Sequence, residues 1–534
     1  MAKAKQDQAP KNTFNHKVVY AAILIYLGLF FCQKVQFVTA DLGRFIQNGA
    51  VFFNEGSLLQ SNHYSYTEPD YFFGNHHWGV GVLYYLVEKI NGFKGLSVFN
   101  ILLILGSVWL FMSSLFKNVK PGYIALAVIL CIPLINWRIE IRPEFFSYIL
   151  LGLYYFILWR FINSELSFKR TALIIFPVML LWVNVHIFFV IGLSLLGAFW
   201  FCSLFLEKYK SHSRQLSILF GGSVLISLCN PGGIWGLLEP FMIFKEYGYM
   251  VAENQSVFFM QNRYLGDPKF WYMEAFLLLM FIAAIYFLYK KKQGAEIDDA
   301  FVIKCFLLLC FTIPAFAMIR FIPVLGLMSI PFAAHAMQLW ENTETAFFKK
   351  DGLHIKAMGL ALIMLFAGFF LPANGATRYW NPLYNKPNMG FGIQDGIERS
   401  AKVFKQLNIK GPILNNYDIG SYLIYYLYPE NKVFVDNRPE AYSVDFFKKT
   451  YYPLHESEEA WKAIDAKYKF NAIYYFRHDN TEHGQPFLIR RTMRDPDWAP
   501  VYVDAWTIIL LKRNEINKSI IDQHELPQSM FIKK

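Results

Sequence analysis

One polar stretch of this mainly apolar sequence carries the residues best suited to chemistry. It follows the apolar segment 18–38, opens with Asp41 and Arg44, and closes with His76 and His77. A carboxylate beside hydrocarbon is costly, so its default interpretation in a membrane protein is a functional site. The alternative is a solvated loop in which Asp41 caps a helix.

Further charged residues flank other apolar segments at intervals along the chain. An arginine at membrane depth needs an anionic partner, either a protein carboxylate or the phosphate of a ligand. The alternating stretch at 138–144 has a second interpretation as ion pairs that neutralise each other at an interface. These residues are Arg138, Glu140, Arg142 and Glu144 after one segment, Glu253 in a long polar loop, and Arg320 between two apolar runs.

Carboxylates that converge near an arginine would suit a divalent cation together with a phosphate-bearing substrate. Hard oxygen ligands favour Mg²⁺ or Mn²⁺. We therefore expect Asp41 and Glu253 to coordinate a cation together, with Glu140 or Glu144 completing the site and Arg320 facing the same cavity. The cation would stabilise the charge that develops on a departing phosphate.

The composition of the chain indicates that a membrane domain positions these candidate site residues. The 534 residues are 55% hydrophobic and 17% charged, and the mean hydropathy is +0.28. This composition indicates a polytopic membrane protein rather than a soluble one. The net charge of +11 is explained by positive cytoplasmic loops, so no nucleic-acid partner is expected. All six cysteines precede residue 311, which excludes disulfides from the C-terminal region.

Eleven apolar segments predict about 11 transmembrane helices. Positive charge recurs in alternate connections, which predicts a cytoplasmic N-terminal tail at 1–17. An odd number of spans then places the C-terminal region on the outer face. The segment 79–90 is too short to cross and predicts an interfacial helix. Cleavage after Val38-Thr39-Ala40 is the alternative to a retained first span. The predicted spans are 18–38, 95–116, 122–137, 144–161, 171–185, 187–206, 215–229, 269–289, 300–318, 321–340 and 355–372.

The chain changes character at about residue 374. Residues 18–373 form the predicted transmembrane domain, with large outer loops at 39–94 and 230–268. Residues 374–534 are more polar, and short β-branched runs alternate there with helical patterns, which predicts a small α/β domain.

Five motifs in this order resemble the integral-membrane GT-C glycosyltransferases, in particular the catalytic subunits of oligosaccharyltransferases. Asp41 to Arg44 is similar to the Asp-containing start of the family's first outer loop, and an acidic second outer loop follows. The remaining motifs are 251–255, which is similar to Ser-Val-Ser-Glu-His-Gln; 319–321 with Pro331; and 416–422 with Asp436-Asn437, which is similar to Trp-Trp-Asp-Tyr-Gly-Tyr. The chain departs from the family where Asn416 and Tyr417 replace two tryptophans that help to recognise the acceptor sequence, and where eleven spans replace thirteen.

The resemblance implies a glycosyltransferase at the outer face of the cell (inner) membrane, with a periplasmic C-terminal domain. It would move a glycan from a polyprenyl-(pyro)phosphate carrier to an exported protein, most simply to a Ser or Thr hydroxyl. Its partners would be that donor, the protein acceptor, membrane lipid and other membrane proteins. The implied roles are catalysis by Asp41 and Glu253, donor phosphate binding by Arg320, Arg44, His76 and His77, and acceptor binding by Asn416, Tyr417, Asp418, Asp436, Asn437 and Arg438.

Two other functions stay open. One is a GT-C transferase that adds a single sugar to a glycan or a lipid. The other is a transporter or a non-catalytic membrane component. A transporter would show charged residues within its spans and two related halves, whereas a non-catalytic component would tolerate loss of the outer-face carboxylates.

Overall fold

The computed structural model describes residues 16–242, 246–343, 352–384, 386–479 and 481–531. Of the predicted tail at 1–17, only His16 and Lys17 fall within these ranges. Lys349 and Lys350, which contribute to the predicted charge alternation, lie outside them.

Fourteen helices precede residue 371 in the described residues, and eleven of them coincide with the predicted spans. The other three, α2, α9 and α10, lie within the predicted outer loops. The helices are α1 His16–Phe31, α2 Leu42–Glu55, α3 Trp78–Ser113, α4 Pro121–Ile135, α5 Glu144–Ile162, α6 Phe168–Val185, α7 Phe189–Phe205, α8 Ser213–Ile226, α9 Ile234–Met242, α10 Val257–Arg263, α11 Pro268–Lys292, α12 Asp299–Ala317, α13 Ile322–Thr343 and α14 Leu353–Phe370.

The length and composition of these helices define a polytopic helical membrane protein. Within the described ranges, seven helices are long and apolar enough to cross a membrane, and α1, α4 and α7 are shorter apolar helices. The cytoplasmic location of the N-terminus stays a prediction. The seven are α3, α5, α6, α11, α12, α13 with the turn before it, and α14.

Helix α3 differs from its prediction. The expected interfacial helix at 79–90 and the span at 95–116 form one element with a kink between them. Asn91 has non-helical dihedrals, and Gly92 has φ 58° and ψ −160°. Glycine adopts this conformation without the steric penalty that a Cβ atom brings. The part of α3 before the kink packs closely against α2, where a Cβ atom on Gly81 would come within 2.9 Å of the Phe45 carbonyl oxygen.

The C-terminal region contains the predicted α/β unit. Its four-stranded sheet has the order β1-β2-β4-β3, in which β1 is parallel to β2 and the other pairs are antiparallel. All five residues of β2 are buried, as expected for a central strand covered on both faces. The strands are β1 Ile413–Leu414, β2 Ala472–Phe476, β3 Trp498–Val503 and β4 Thr507–Lys512, and the helices are α15 Arg399–Gln406, α16 Gly420–Leu427, α17 Val444–Phe446, α18 Tyr452–Glu456, α19 Glu458–Tyr468, α20 Gly484–Met493 and α21 Lys518–His524.

Close packing joins this domain to the first outer loop. Helix α16 lies against α2, where a Cβ atom on Gly43 would come within 2.6 Å of the Ser421 carbonyl oxygen. The next backbone amide, that of Arg44, donates to Ser421 Oγ at 2.8 Å. Glycine therefore permits the approach that brings the start of α2 beside the C-terminal domain.

Candidate active site

A polar cavity of about 210 Å³ lies between the membrane domain and the C-terminal domain. Its walls come from the start of α2, the start of α5, the turns at 252–254 and 319–321, and the loops before α16 and α17. Most of the predicted site residues meet here, although they come from distant parts of the sequence. The predicted residues that line it are Asp41, Arg44, His76, His77, Glu144, Glu253, Arg320, Tyr417, Asp418 and Asn437.

Asp41 occupies the N-cap position of α2, but its side chain makes no capping hydrogen bond. Its Oδ1 atom accepts from Asn437 Nδ2 at 2.5 Å, and its Oδ2 atom accepts from Arg142 Nη1 at 3.2 Å. The carboxylate therefore bridges the C-terminal domain and the loop between α4 and α5. The alternative interpretation of Asp41 as a simple helix cap is wrong.

The carboxylates of Glu144 and Glu253 meet three arginines rather than the single one expected from the sequence. Arg138 and Arg142, read as ion-pair partners in one interpretation of the sequence, both turn inward. Arg320 joins them from the turn between α12 and α13. The nitrogen–oxygen distances are 3.3 Å for Arg138–Glu144, 2.5 Å for Arg138–Glu253, 3.1 Å for Arg142–Glu253, 3.3 Å for Arg320–Glu144 and 3.5 Å for Arg320–Glu253.

This arrangement does not fit the predicted metal site as it stands. Each of Asp41, Glu144 and Glu253 offers its oxygens to guanidinium groups, and Glu140 is exposed and lies outside the cavity lining. Among the described residues, no group of three or more His, Cys, Asp or Glu side chains is arranged to hold a metal ion. Binding of Mg²⁺ or Mn²⁺ stays a prediction from the sequence.

The two carboxylates predicted to be catalytic have opposite pKa shifts. Burial raises the pKa of Asp41 above its usual value, and the opposing effect of Arg142 is smaller. Burial would also raise the pKa of Glu253, but Arg138, Arg142 and Arg320 together hold that pKa well below its usual range. Neighbouring carboxyl groups with divergent pKa values are typical of sites in which one accepts a proton and the other stays ionised.

The predicted phosphate-binding residues also divide into two groups. Arg320 is occupied by Glu144 and Glu253, and its Nη1 atom donates to Asn254 at 3.0 Å. Arg44 makes no ion pair with any described residue, is only 4% exposed, and has an Nε atom without a hydrogen-bond partner. Arg44 therefore differs from Arg142 and Arg320 in this cavity, because its guanidinium pairs with no carboxylate of the described residues and its donors are left for a ligand.

His76 and His77 lie on the same side of the cavity, with their ring centroids 4.1 Å apart. Burial lowers the pKa of His76 to about 4 and lowers the pKa of His77 well below its usual value. Both rings are neutral at pH 7. They supply hydrogen-bonding groups beside Arg44 without adding positive charge.

The predicted acceptor-binding residues are only partly turned towards the cavity. Tyr417, Asp418 and Asn437 line it, and burial together with nearby carboxylates raises the pKa of Asp418 to about 7. Asn416 is fully buried and pairs with β2 through the backbone of Phe476.

Asp436 and Arg438 are fully buried and bind each other at 2.6 Å, and Arg438 also donates to Asn62. This pair stabilises the loop that presents Asn437. Because neither side chain lines the cavity, we assign Asp436 and Arg438 a structural role rather than direct contact with the acceptor.

Glu239, Tyr247 and Glu440 are among the cavity residues that sequence reasoning missed. Glu239 comes from α9, Tyr247 from the loop that follows α9, and Glu440 from the segment just after Arg438. Burial raises the pKa of Glu440. The acidic residue in DNRPEAY was a usable signal, whereas Glu239 and Tyr247 have no local pattern that marks them.

Comparison with solved structures gives the class of fold. The chain is similar to the archaeal oligosaccharyltransferase AglB from Archaeoglobus fulgidus in complex with an inhibitory peptide and a dolichol-phosphate, at 13% identity and a TM-score of 0.56, over 90% of this chain and 71% of that one. It is also similar to ArnT from Cupriavidus metallidurans bound to undecaprenyl phosphate, at 11% identity and a TM-score of 0.52, over 96% of this chain and 99% of that one. No family model and no curated protein matches the sequence.

At these identities the likeness establishes the fold. The chain has a GT-C-like architecture, a polytopic helical membrane domain followed by a C-terminal domain. The resemblance noted from short motifs is thus confirmed for the fold, and activity must be argued from the cavity.

Proposed function

We propose that this protein is a membrane glycosyltransferase that moves a glycan from a polyprenyl-(pyro)phosphate carrier to an acceptor, most simply a Ser or Thr hydroxyl of an exported protein. The observation that carries the proposal is the cavity in which Asp41, held by both domains, shares a wall with the unpaired guanidinium of Arg44. The similarity to AglB and ArnT supports it, because both solved structures contain a polyprenyl-type phosphate.

The position of the cavity suits a donor with a lipid tail. Helices on the membrane side of the site are long and apolar, whereas the cavity itself is lined by charged residues. The tail would stay in the bilayer while the phosphate reaches Arg44. A guanidinium presents several N–H donors in a plane, which suits bidentate contact with phosphate oxygens.

The proposed reaction is a displacement at the anomeric carbon of the glycan. The acceptor oxygen forms a bond to this carbon as the bond from the carbon to the phosphate oxygen breaks. The bonding electron pair leaves with the phosphate, where Arg44 stabilises the added charge. Asp41 takes the proton of the acceptor, while Glu253 stays ionised and holds the arginines in place.

Tyr417, Asp418 and Asn437 form the acceptor side of the cavity in this proposal. Tyr417 stacks on Tyr249 with ring centroids 3.9 Å apart, which links the acceptor side to the loop at 230–268. Because Asn437 also binds Asp41, an acceptor on the C-terminal domain would lie next to the group that receives its proton.

A second candidate is transfer of a single sugar to a glycan or a lipid. The cavity volume of about 210 Å³ lies below the roughly 300–1,000 Å³ of typical small-molecule sites, which favours a short glycan.

Glycoproteomics of exported proteins, with and without this chain, tests the protein acceptor. We expect specific Ser or Thr glycopeptides to disappear when the chain is removed and to return with the wild-type chain but not with Asp41→Asn. Unchanged glycopeptides together with an altered membrane glycan or glycolipid would favour the second candidate. No change in either class would contradict glycosyl transfer.

A further inference from the structure

Arg142 occupies the position for which the sequence predicts a divalent cation. Its Nη1 atom donates to Asp41 Oδ2 at 3.2 Å and to Glu253 Oε2 at 3.1 Å. These are the two carboxylates that the sequence pairs through a metal. One guanidinium nitrogen therefore bridges them and relieves their mutual repulsion.

The charges around Arg142 are already balanced. Three carboxylates, those of Asp41, Glu144 and Glu253, face three guanidinium groups. A divalent cation placed among them would leave an excess of two positive charges in a buried cluster and would compete with Arg138 and Arg142 for the same oxygens. The donor set is thus arranged for arginine.

The local sequence holds Arg142 in this place. Pro143 follows it and forms the N-cap of α5, and Glu144 lies in the first turn of that helix. The ring of proline restricts the backbone directly after Arg142. Contacts of Arg142 with described side chains use Nη1 alone, while the residue lines the cavity.

We propose that Arg142 performs the charge-stabilising role of the predicted cation, so that glycosyl transfer at this site proceeds without a divalent metal. The inference rests on the proposed function. As the anomeric carbon–oxygen bond breaks, the electron pair moves to the phosphate oxygen, and the remaining N–H groups of Arg142 donate to it together with Arg44. An arginine stays protonated at all physiological pH values, so it supplies a fixed positive charge.

Binding of Mn²⁺ to the purified full-length protein, followed by electron paramagnetic resonance, tests the inference without any substrate. We expect no saturable Mn²⁺ site in the wild-type protein. Arg142→Ala removes the bridge between Asp41 and Glu253, so it should gain a Mn²⁺ site that the further change Asp41→Asn abolishes. Arg378→Ala is the matched control, because Arg378 pairs with a single carboxylate, Asp267, and should gain no site.

A saturable Mn²⁺ site in the wild-type protein that is lost in Asp41→Asn would overturn the inference. Arg142→Lys covers the case in which Arg142→Ala does not fold, since it keeps the charge. We expect that variant to bind no Mn²⁺, and a site equal to that predicted for Arg142→Ala would contradict the account.

The activity measurement uses a polyprenyl-phosphate-linked glycan with and without EDTA. We expect equal transfer within about twofold and a loss of about 10²–10³-fold in Arg142→Ala. Loss of transfer in EDTA with recovery in Mn²⁺ would overturn the inference. Absence of transfer under every condition would count against the proposed function, while the Mn²⁺ titration would still decide the role of Arg142.

Discussion

The two sides of the cavity treat charge in different ways. On the membrane side, Glu144 and Glu253 are bound by three arginines, so each of these carboxylates lies against guanidinium groups of opposite charge. On the side of the C-terminal domain, Arg44 has no ion pair with any described residue, and the pKa values of Asp418 and Glu440 are raised. Asp41 lies between the two sides and is bound by one residue from each.

This difference indicates a division of labour. A balanced network of buried ions fixes geometry, because removal of one partner leaves an uncompensated charge. An unpaired guanidinium and carboxyl groups with raised pKa values are instead available to bind ligands and transfer protons. We therefore assign orientation mainly to the membrane side, where Arg142 is also proposed to contact the phosphate, and the other substrate contacts to the domain side.

Asp41→Asn should have the largest effect. The amide keeps the volume of the side chain but cannot accept the proton of an acceptor, so we expect transfer to fall below detection while the protein stays folded. Asp395→Asn is the matched control, because Asp395 is an exposed partner of Lys34 outside the cavity. Transfer by Asp41→Asn at more than a tenth of the wild-type rate would exclude proton transfer as its role.

Arg44→Gln should lower transfer by about 10²–10³-fold, the usual loss when one donor to a developing negative charge is removed. Because Arg44 has no ionic partner among the described residues, the thermal unfolding temperature of Arg44→Gln should differ little from that of the wild-type protein. Arg44→Lys should recover only part of the rate, since an ammonium lacks the planar donors. If both variants kept the donor KM and the rate of the wild-type protein, the phosphate would not bind at Arg44.

Arg320→Gln should show the opposite pattern, with a loss of stability that exceeds any specific effect on the donor. It leaves Glu144 and Glu253 with fewer partners in a buried site, and breaking such pairs costs about 3–5 kcal/mol. Thermal unfolding in detergent measures the change. A stable Arg320→Gln protein with a selectively raised donor KM would restore Arg320 as the phosphate ligand and blur the division between the two sides.

Asp418→Asn should change the pH profile of transfer more than its maximum. Burial raises the pKa of Asp418 to about 7, so the wild-type carboxyl loses its proton as pH rises through 7. We expect the rate to rise through this range in the wild-type protein and to be flatter in Asp418→Asn.

The contribution of Asp418 to folding stability should fall over the pH range in which the rate rises. Between the usual Asp value and pH 7 the folded state binds more protons at Asp418 than the unfolded state, so this contribution to stability falls as pH rises. Asp418→Asn should remove that decline in thermal unfolding. A rate profile and a stability profile that both match the wild type would assign the titration to another group.

The sequence predicted the helices well because long apolar segments carry a strong local signal. All eleven predicted spans have a corresponding helix, and the only merged prediction is at α3, where Gly92 allows a kink without a break. The small α/β domain was also predicted, since the burial of β2 follows from its uniformly apolar sequence AIYYF.

The site was predicted less completely because pairing depends on contacts between distant segments. Arg138 and Arg142 were visible as charges, but whether they face solvent or Glu253 is decided by how α4, α5 and the turn at 252–254 pack together. The same holds for Asp436, which looked like a cavity residue in DNRPEAY but is bound by its neighbour Arg438. Asn437, one position along, reaches Asp41.

Transfer measured with purified protein and a labelled polyprenyl-phosphate-linked glycan tests the central claim most directly. With a membrane extract as the source of acceptors, we predict that the label moves from the lipid to a new product with the wild-type protein and stays on the lipid with Asp41→Asn. Mass spectrometry of the product then identifies the acceptor. A folded wild-type protein that leaves the label on every carrier tested, or an Asp41→Asn variant as active as the wild type, would contradict the account.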